Sequence, residues 1–361
     1  MKIIEISTSV MPLPPRSYAG LELLVYELSV ELAKRGHQVY LVAPIGSQKP
    51  KNLDNLHLIQ TIKPSWNNPE REAFLVYKDI INKLIDSGTI IHDHSWSMYP
   101  YLFKIANPKI KICHTFHGPN TFKLPEDKDV IEQIRAGDWN LIGVSHAHSK
   151  YLSEALGNVP VNTIYNGVDE KIYKFYEGPR DNYILYFGII NAMKGADTFV
   201  DIMSRTNYKA VMAGEDIHVS DINFVNNLIN YISKETNIDY YGSVPFEFKI
   251  WLMQHAKLMV YPFNPLWMEA FNLAYVEASM IGTPVLVSEV GSMRELTQDL
   301  PDLYKAKPNN RILQEDLPKI MEDLDQNFEL RSKQFHNNAM KFTLEKMVDN
   351  YEKFFEKILR N

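Results

Sequence analysis

One pattern constrains this chain more than any other: short apolar runs alternate with helical periodicities, and the series runs through twice. The runs KIIEIST (2–8), QVYLVA (38–43), 58–62, TIIH (89–92), 110–114, NLIGV (140–144) and 161–165 read as strands. Between the first two, Leu21, Leu24, Val25, Leu28 and Leu32 recur at helical spacing up to Arg35, and Gly36 supplies a stop. The series restarts with YILYF (183–187), YKAVMA (208–213), 238–241, KLMVY (257–261) and PVLV (284–287). Strands that alternate with helices need crossover connections, which predicts α/β architecture with parallel, doubly wound sheets. The polar stretch Asn166–Arg180 separates the series, so two Rossmann-like domains facing across a cleft are expected. Ligands in such sheets lie at the carboxyl ends of the strands. Residues 340–360 read as one long amphipathic helix with no strand after it.

Length agrees with two domains, since 361 residues suit about 150 per domain. A hydrophobic share of 45% with 23% charged residues excludes disordered and fibrous classes. With 38 Lys+Arg against 44 Asp+Glu, nothing advertises a nucleic-acid footprint. The longest nearly apolar run, Tyr183 to Ile190, is far short of the ~20 residues of a membrane span. The N-terminus reads as a strand and not as a signal peptide. Cys113 is the only cysteine, which excludes intramolecular disulfides and agrees with a cytoplasmic location.

If strand ends form the cleft, the residues after each strand are the candidates. Gly20, near a helix N-terminus, lets a phosphate or sugar approach backbone N–H groups; a plain turn is the equal alternative. His92, Asp93 and His94 follow one strand, and His114 and His117 the next. Their spacing is open to zinc ligation, to ligand contact by imidazole, or to capping of strand ends. Ser145-His146 lacks the Gly-x-Ser-x-Gly elbow and reads as a helix cap. In the second half, Gly188 and Lys194-Gly195 bracket the loop after YILYF, and a lysine entering a helix N-terminus suits a phosphate. In WMEAFNLAYVEASMIGTP, Glu269 is placed in a loop and Glu277 seven residues on, in a helix beginning near Phe271 or Asn272. The two carboxylates can flank a ligand over the helix start. The N–H groups of Phe271, Asn272 and Leu273 would face its phosphate, and the carboxylates its paired hydroxyls.

In this order the pieces resemble retaining glycosyltransferases of the GT-B fold, glycosyltransferase family four, over nearly the whole chain. YAGLELLVYELSVELAKRGHQVYLVAP is similar to the family's Gly-rich loop and first helix. HTFHGP resembles its donor-site histidine segment, and YNGVD its interdomain Asn-Gly-Val-Asp. EAFNLAYVE resembles the Glu-x7-Glu motif and ASMIGTPVLVSEVGSMREL its continuation. The resemblance implies an N-terminal acceptor-side domain over 1–167, joined by the closing helix 340–361, and a C-terminal nucleotide-sugar domain over 168–339. It implies that Glu277 holds ribose hydroxyls and that Glu269 holds hydroxyls of the transferred sugar. Lys194 neutralises the diphosphate, assisted by the Phe271–Leu273 amides and the Gly188 loop. Gly20 admits the phosphate, and His117 contacts the donor sugar near its reacting carbon. Three departures stand out. Gly188-Ile189 replaces the family's Gly-Arg, removing a charge-assisted bond worth roughly 1.5–3 kcal/mol. Ala270-Phe271-Asn272 replaces Gly-Phe-Gly, and Ala19 replaces the first glycine of the usual pair.

The expected activity is metal-independent, retaining transfer of a hexose from a nucleotide diphosphate sugar, UDP-glucose by family usage. The acceptor is a hydroxyl of a glycan, a glycolipid or a small molecule. Rival readings are a non-catalytic GT-B subunit supporting an active partner, which the missing arginine favours, and a histidine-based metal hydrolase. Tyr18, Trp66, Trp96 and Tyr99 suit either sugar stacking or the core. Lys104, Lys109 and Lys111 form a modest basic cluster that suits a weak contact with the inner face of a membrane, or simply a solvated surface.

Overall fold

The computed structural model describes residues 1–361 except 16–18, 68, 119–131, 133–138, 218, 220, 235, 236, 308, 309 and 361. Tyr18 therefore lies outside the described residues. The chain divides into two units. One holds 1–15, 19–167 and the closing helix Leu344–Arg360, and the other holds 168–343.

The first unit is built on seven parallel strands: β1 (Lys2–Ile6), β2 (Gln38–Ala43), β3 (Leu56–Gln60), β4 (Thr89–Asp93), β5 (Lys111–Thr115), β6 (Asn140–Gly143) and β7 (Val161–Thr163). Their order is β3-β2-β1-β4-β5-β6-β7, with Glu5 of β1 in register with His92 of β4. The order reverses between β1 and β4, which makes the loops after these two strands the topological switch point of the sheet. β4 is buried at every position, as a strand covered by helices on both faces must be. Phe74, Tyr77 and Ile81 of the helix Glu70–Leu84 join Ile4, Ile91 and Ile112 of the sheet in one apolar cluster.

The second unit repeats the plan with β8 (Tyr183–Phe187), β9 (Lys209–Ala213), β10 (Ile238–Gly242), β11 (Leu258–Tyr261), β12 (Val285–Ser288) and the two-residue β13 (Lys305–Ala306). The order is β10-β9-β8-β11-β12-β13, so its switch point lies between β8 and β11.

The amphipathic tail helix expected at 340–360 is present but starts later, at Leu344, and ends at Arg360. One helix, Asn310–Ala339, kinks at Asn327, and another, Leu344–Arg360, follows. Residues 340–343 stay with the second unit because the Val168 N–H bonds the Phe342 carbonyl at 3.0 Å and Val168 pairs with Thr343. The last helix packs on the first unit. Tyr351 and Phe355 are buried against His92, and Arg35 pairs with Asp349 at 2.6 Å and Glu352 at 2.5 Å.

Candidate functional site

In the second unit, the loops leaving β8 and β11 meet at the switch point. Lys194 precedes the helix Ala196–Ser204 and places Nζ 2.5 Å from Glu269 Oε2. The Trp267 indole N–H donates to the same oxygen at 2.7 Å. The ammonium also lies 5.6 Å from the Phe263 ring centre and 5.4 Å from that of Trp267. Lys194 thus joins Trp267 and Glu269, more than seventy residues on, in one polar knot, with Glu269 buried.

Glycine geometry explains the local backbone. Gly195 has φ +76°, and a Cβ there would stand 1.9 Å from the Pro262 carbonyl oxygen, so the lysine loop presses directly on the loop after β11. Gly291 presses in the same way on Glu269, where a Cβ would meet its carbonyl oxygen at 2.4 Å. The Ser292 N–H bonds that carbonyl at 2.9 Å. Gly188, by contrast, has ordinary room for a Cβ, 3.8 Å from Tyr261. Ile189, where the family carries arginine, is half-buried, and its carbonyl accepts the Tyr186 hydroxyl at 2.9 Å.

The helix carrying Glu277 begins at Leu273, and neither Phe271 nor Asn272 lies inside it. Asn272 is its N-cap, its side-chain oxygen accepting the Tyr275 N–H at 2.9 Å. Phe271 lies before the cap, its ring edge-on to Phe342 at 5.8 Å. The amides of Leu273 and Ala274 open the helix, where the geometry provides no intrahelical acceptor. Glu277 sits one turn in and is buried. Its Oε1 accepts from the Tyr173 hydroxyl at 2.8 Å and from Lys249 Nζ at 2.7 Å.

In the first unit the histidines do not all lie after their strands. His92 and Asp93 are inside β4 and His114 inside β5, all fully buried. Asp93 Oδ2 pairs with His114 Nδ1 at 2.8 Å, and His92 Nε2 meets Thr115 Oγ1 at 2.8 Å. Glu5, next to the end of β1, bridges His92 Nδ1 at 3.2 Å and His94 Nε2 at 3.0 Å. His94 Nδ1 continues the chain to His117 Nε2 at 2.8 Å. Only His94 and His117 of the set follow strand ends. Burial pushes the Glu5 carboxyl up and both His94 and His117 well below the usual imidazole range. Glu5, His92 and His94 bring three metal-ligating atoms within 4.8 Å of one another. Each of those atoms already has a protein partner, which leaves the hydrolase reading no specific support.

Gly20 opens the helix Gly20–Lys34, with Ala19 as its cap. Its neighbour Glu22 is buried and accepts the Thr8 hydroxyl at 2.7 Å, tying that helix to the loop after β1. Ser145 caps the helix His146–Ala155, accepting from the His148 N–H, as its sequence suggested. Trp66 and Trp96 are exposed and lean on each other, centroids 6.3 Å apart, whereas Tyr99 stacks on Phe74. Lys104 and Lys111 line a surface pocket with Trp139 and Lys357, near the amino ends of β5 and β6 and away from the strand-end loops. Among the described residues no helix is long and apolar enough to cross a membrane.

Sequence reading missed Lys249, Tyr173, Glu5 and the role of Gly291. Glu5 alone carried a signal, a carboxylate in an otherwise apolar central strand.

Comparison with known proteins matches residues 18–171 to Glycosyltransferase Family 4 and residues 168–341 to Glycosyl transferases group 1. The chain is 26% identical to an uncharacterized glycosyltransferase, MJ1178, of Methanocaldococcus jannaschii, over 79% of this chain and 80% of that one. Among solved structures, sucrose-phosphate synthase of Thermosynechococcus elongatus covers 99% of both chains with a TM-score of 0.82 at 17% identity. Anabaena HepE in complex with UDP and glucose covers 99% of both, with a TM-score of 0.78 at 16% identity. At these identities the structural likeness is one of fold.

Proposed function

The chain belongs to the family-four glycosyltransferases of the GT-B fold, which move a sugar from a nucleotide sugar, and we propose that it transfers a hexose, glucose in the best reading, with retention of anomeric configuration. The observation that carries the reading is the switch point of the second unit. There Lys194, Glu269 and the start of the Glu277 helix share one small volume of strand-end loops. A cation and a helix N-terminus suit a diphosphate, and buried carboxylates suit hydroxyls.

In this mechanism Glu277 binds the ribose hydroxyls and Glu269 those of the transferred sugar. Lys194 turns from Glu269 toward the diphosphate, with the Leu273 amide and the loop around Gly188, Phe271 and Asn272 assisting. From the first unit, Gly20 is assigned to the phosphate and His117 to the sugar near its reacting carbon. The acceptor oxygen bonds to the anomeric carbon as the bond to phosphate breaks. The departing phosphate takes the acceptor proton on the same face, so no metal and no protein nucleophile is needed. Catalysis is then positioning plus stabilisation of the developing diphosphate charge. Ile189 cannot share that burden, which puts it on Lys194.

A UDP-sugar is the preferred donor, supported by HepE, a fold relative whose complex holds UDP and glucose. The acceptor is a hydroxyl of a glycan, glycolipid or small molecule, at a cytoplasmic site that includes the inner membrane face. The non-catalytic GT-B subunit is the rival that Ile189 favours. Calorimetric titration with UDP, GDP, ADP and UMP, repeated with Glu277→Ala, separates the two. The proposal expects micromolar binding of one diphosphate, lost in the variant. Absence of binding to all four refutes it in favour of the non-catalytic reading.

A further inference from the structure

Glu277 has an unusual companion for a ligand-binding carboxylate. Lys249, on the helix Phe246–His255, is 8% exposed and Glu277 5%. The lysine ammonium lies 2.7 Å from Oε1 and 3.0 Å from the Tyr173 oxygen. The rings of Tyr173, Phe187 and Phe246 surround it, with centroids 5.3, 5.7 and 5.6 Å away. Taking an ammonium and a carboxylate out of water is costly, and apolar residues of similar volume often serve stability as well or better. Fold stability alone therefore gives no reason for a charge here.

The hydrogen-bond arrangement gives one. Both directed donors, Lys249 and Tyr173, converge on Oε1. Oε2 is buried and lies as close to the ammonium, at 2.7 Å, but receives no directed hydrogen bond. The carboxylate is thus fixed in rotation, gripped by the ammonium at both oxygens and by the Tyr173 hydroxyl at Oε1. A ribose presents two adjacent hydroxyls, and a carboxylate distinguishes them from a deoxyribose only if its orientation is fixed.

We propose that Lys249, together with Tyr173, is the positioning pair that sets Glu277 for the donor ribose and so determines selectivity for ribo- over 2′-deoxyribonucleotides. The proposal rests on the assignment of Glu277 to the ribose made above. Tyr173 lies five residues past the passage between units, in a segment that carries no other assigned function.

The test is calorimetric, on the full chain, with UDP and 2′-deoxy-UDP, or with GDP or ADP and its 2′-deoxy analogue if that diphosphate is the one bound. Wild type is expected to prefer the ribonucleotide by roughly tenfold or more, the worth of one hydrogen bond to a charged group. Lys249→Met and Tyr173→Phe are each expected to bring the ratio toward one, and Lys249→Arg to retain most of it. If both nucleotides weaken equally and the ratio survives, Lys249 is structural and the inference fails. If wild type itself shows no preference, the ribose assignment of Glu277 fails first. Circular dichroism reports whether Lys249→Met folds. Tyr173→Phe, which keeps the ring and removes one donor, carries the test if it does not.

Discussion

Replacing Lys194 by methionine isolates its charge, because methionine keeps an apolar stem against Phe263 and Trp267. The partner, Glu269, has a side chain only 4% exposed, whereas that of Lys194 is 16% exposed. Breaking a buried pair by deleting one partner costs 3–5 kcal/mol, because the other charge stays buried without compensation. The Trp267 N–H remains bonded to Glu269, and the lysine end of the pair is partly wet, so the lower end applies, about 3 kcal/mol. For a unit of about this size, 2–4 °C per kcal/mol converts that to a fall of about 6–12 °C. The assay is calorimetric melting of the ligand-free protein. Lys194→Met/Glu269→Gln is expected to regain most of the loss, since the glutamine oxygen still accepts from Trp267 and no charge is stranded. A Lys194→Met protein that loses under about 1 kcal/mol, or a double variant no better than the single, refutes the ion-pair argument.

Gly195→Ala meets both a left-handed backbone and the Pro262 carbonyl, so it should lower stability by at least about 2 kcal/mol in urea unfolding, against under about 1 for Gly188→Ala. Asn272→Gly restores the family residue at the helix cap. It should cost only a few tenths of a kcal/mol in the melt, whereas Asn272→Ala costs about 1 kcal/mol. Burial holds the His92 imidazole down at about 3, against 6.5 in a free chain. The folded state therefore resists a proton that the unfolded chain accepts, and the stability it carries above pH 6.5 is lost as pH falls toward 3. Unfolding free energies measured from pH 6.5 to 4.5 should fall less steeply in His92→Gln than in wild type, by about 1.4 kcal/mol per pH unit.

The strands were legible because each is a short apolar run bounded by polar turns, as in YILYF and KLMVY, and parallel order followed from the helices between them. Glu269, Glu277 and Lys194 were legible because their spacing places them at strand ends and a helix start. Lys249 was not. It sits in FEFKIWLMQH, which has no clean apolar face, and its burial depends on Tyr173 and Phe187, both more than sixty residues away. The histidine set was misplaced by half because periodicity marks a strand's end only to within a residue or two. The expected strands end on His92 and His114, whereas β4 runs on to Asp93 and β5 to Thr115, which leaves His92, Asp93 and His114 inside the sheet. The start of the Glu277 helix was read one or two residues early, since Asn272 can serve as either cap or first turn and only its bond to Tyr275 decides.

The chain passes from the first unit to the second after Gly167 and returns after Thr343, and Val168 and Thr343 pair at the seam. The second unit is therefore an insertion with adjacent ends, and no single cut divides the protein. Severing at 167 alone strands Tyr351 and Phe355 on the wrong fragment, leaving the first sheet without the helix that covers His92. Two cuts, one on each side of the Val168–Thr343 bridge, lift out a body whose termini already touch. For protein engineering this makes the second unit a cassette. A relative's second unit, trimmed to the same paired ends, fits the same short gap without a linker, so the two units can be recombined independently.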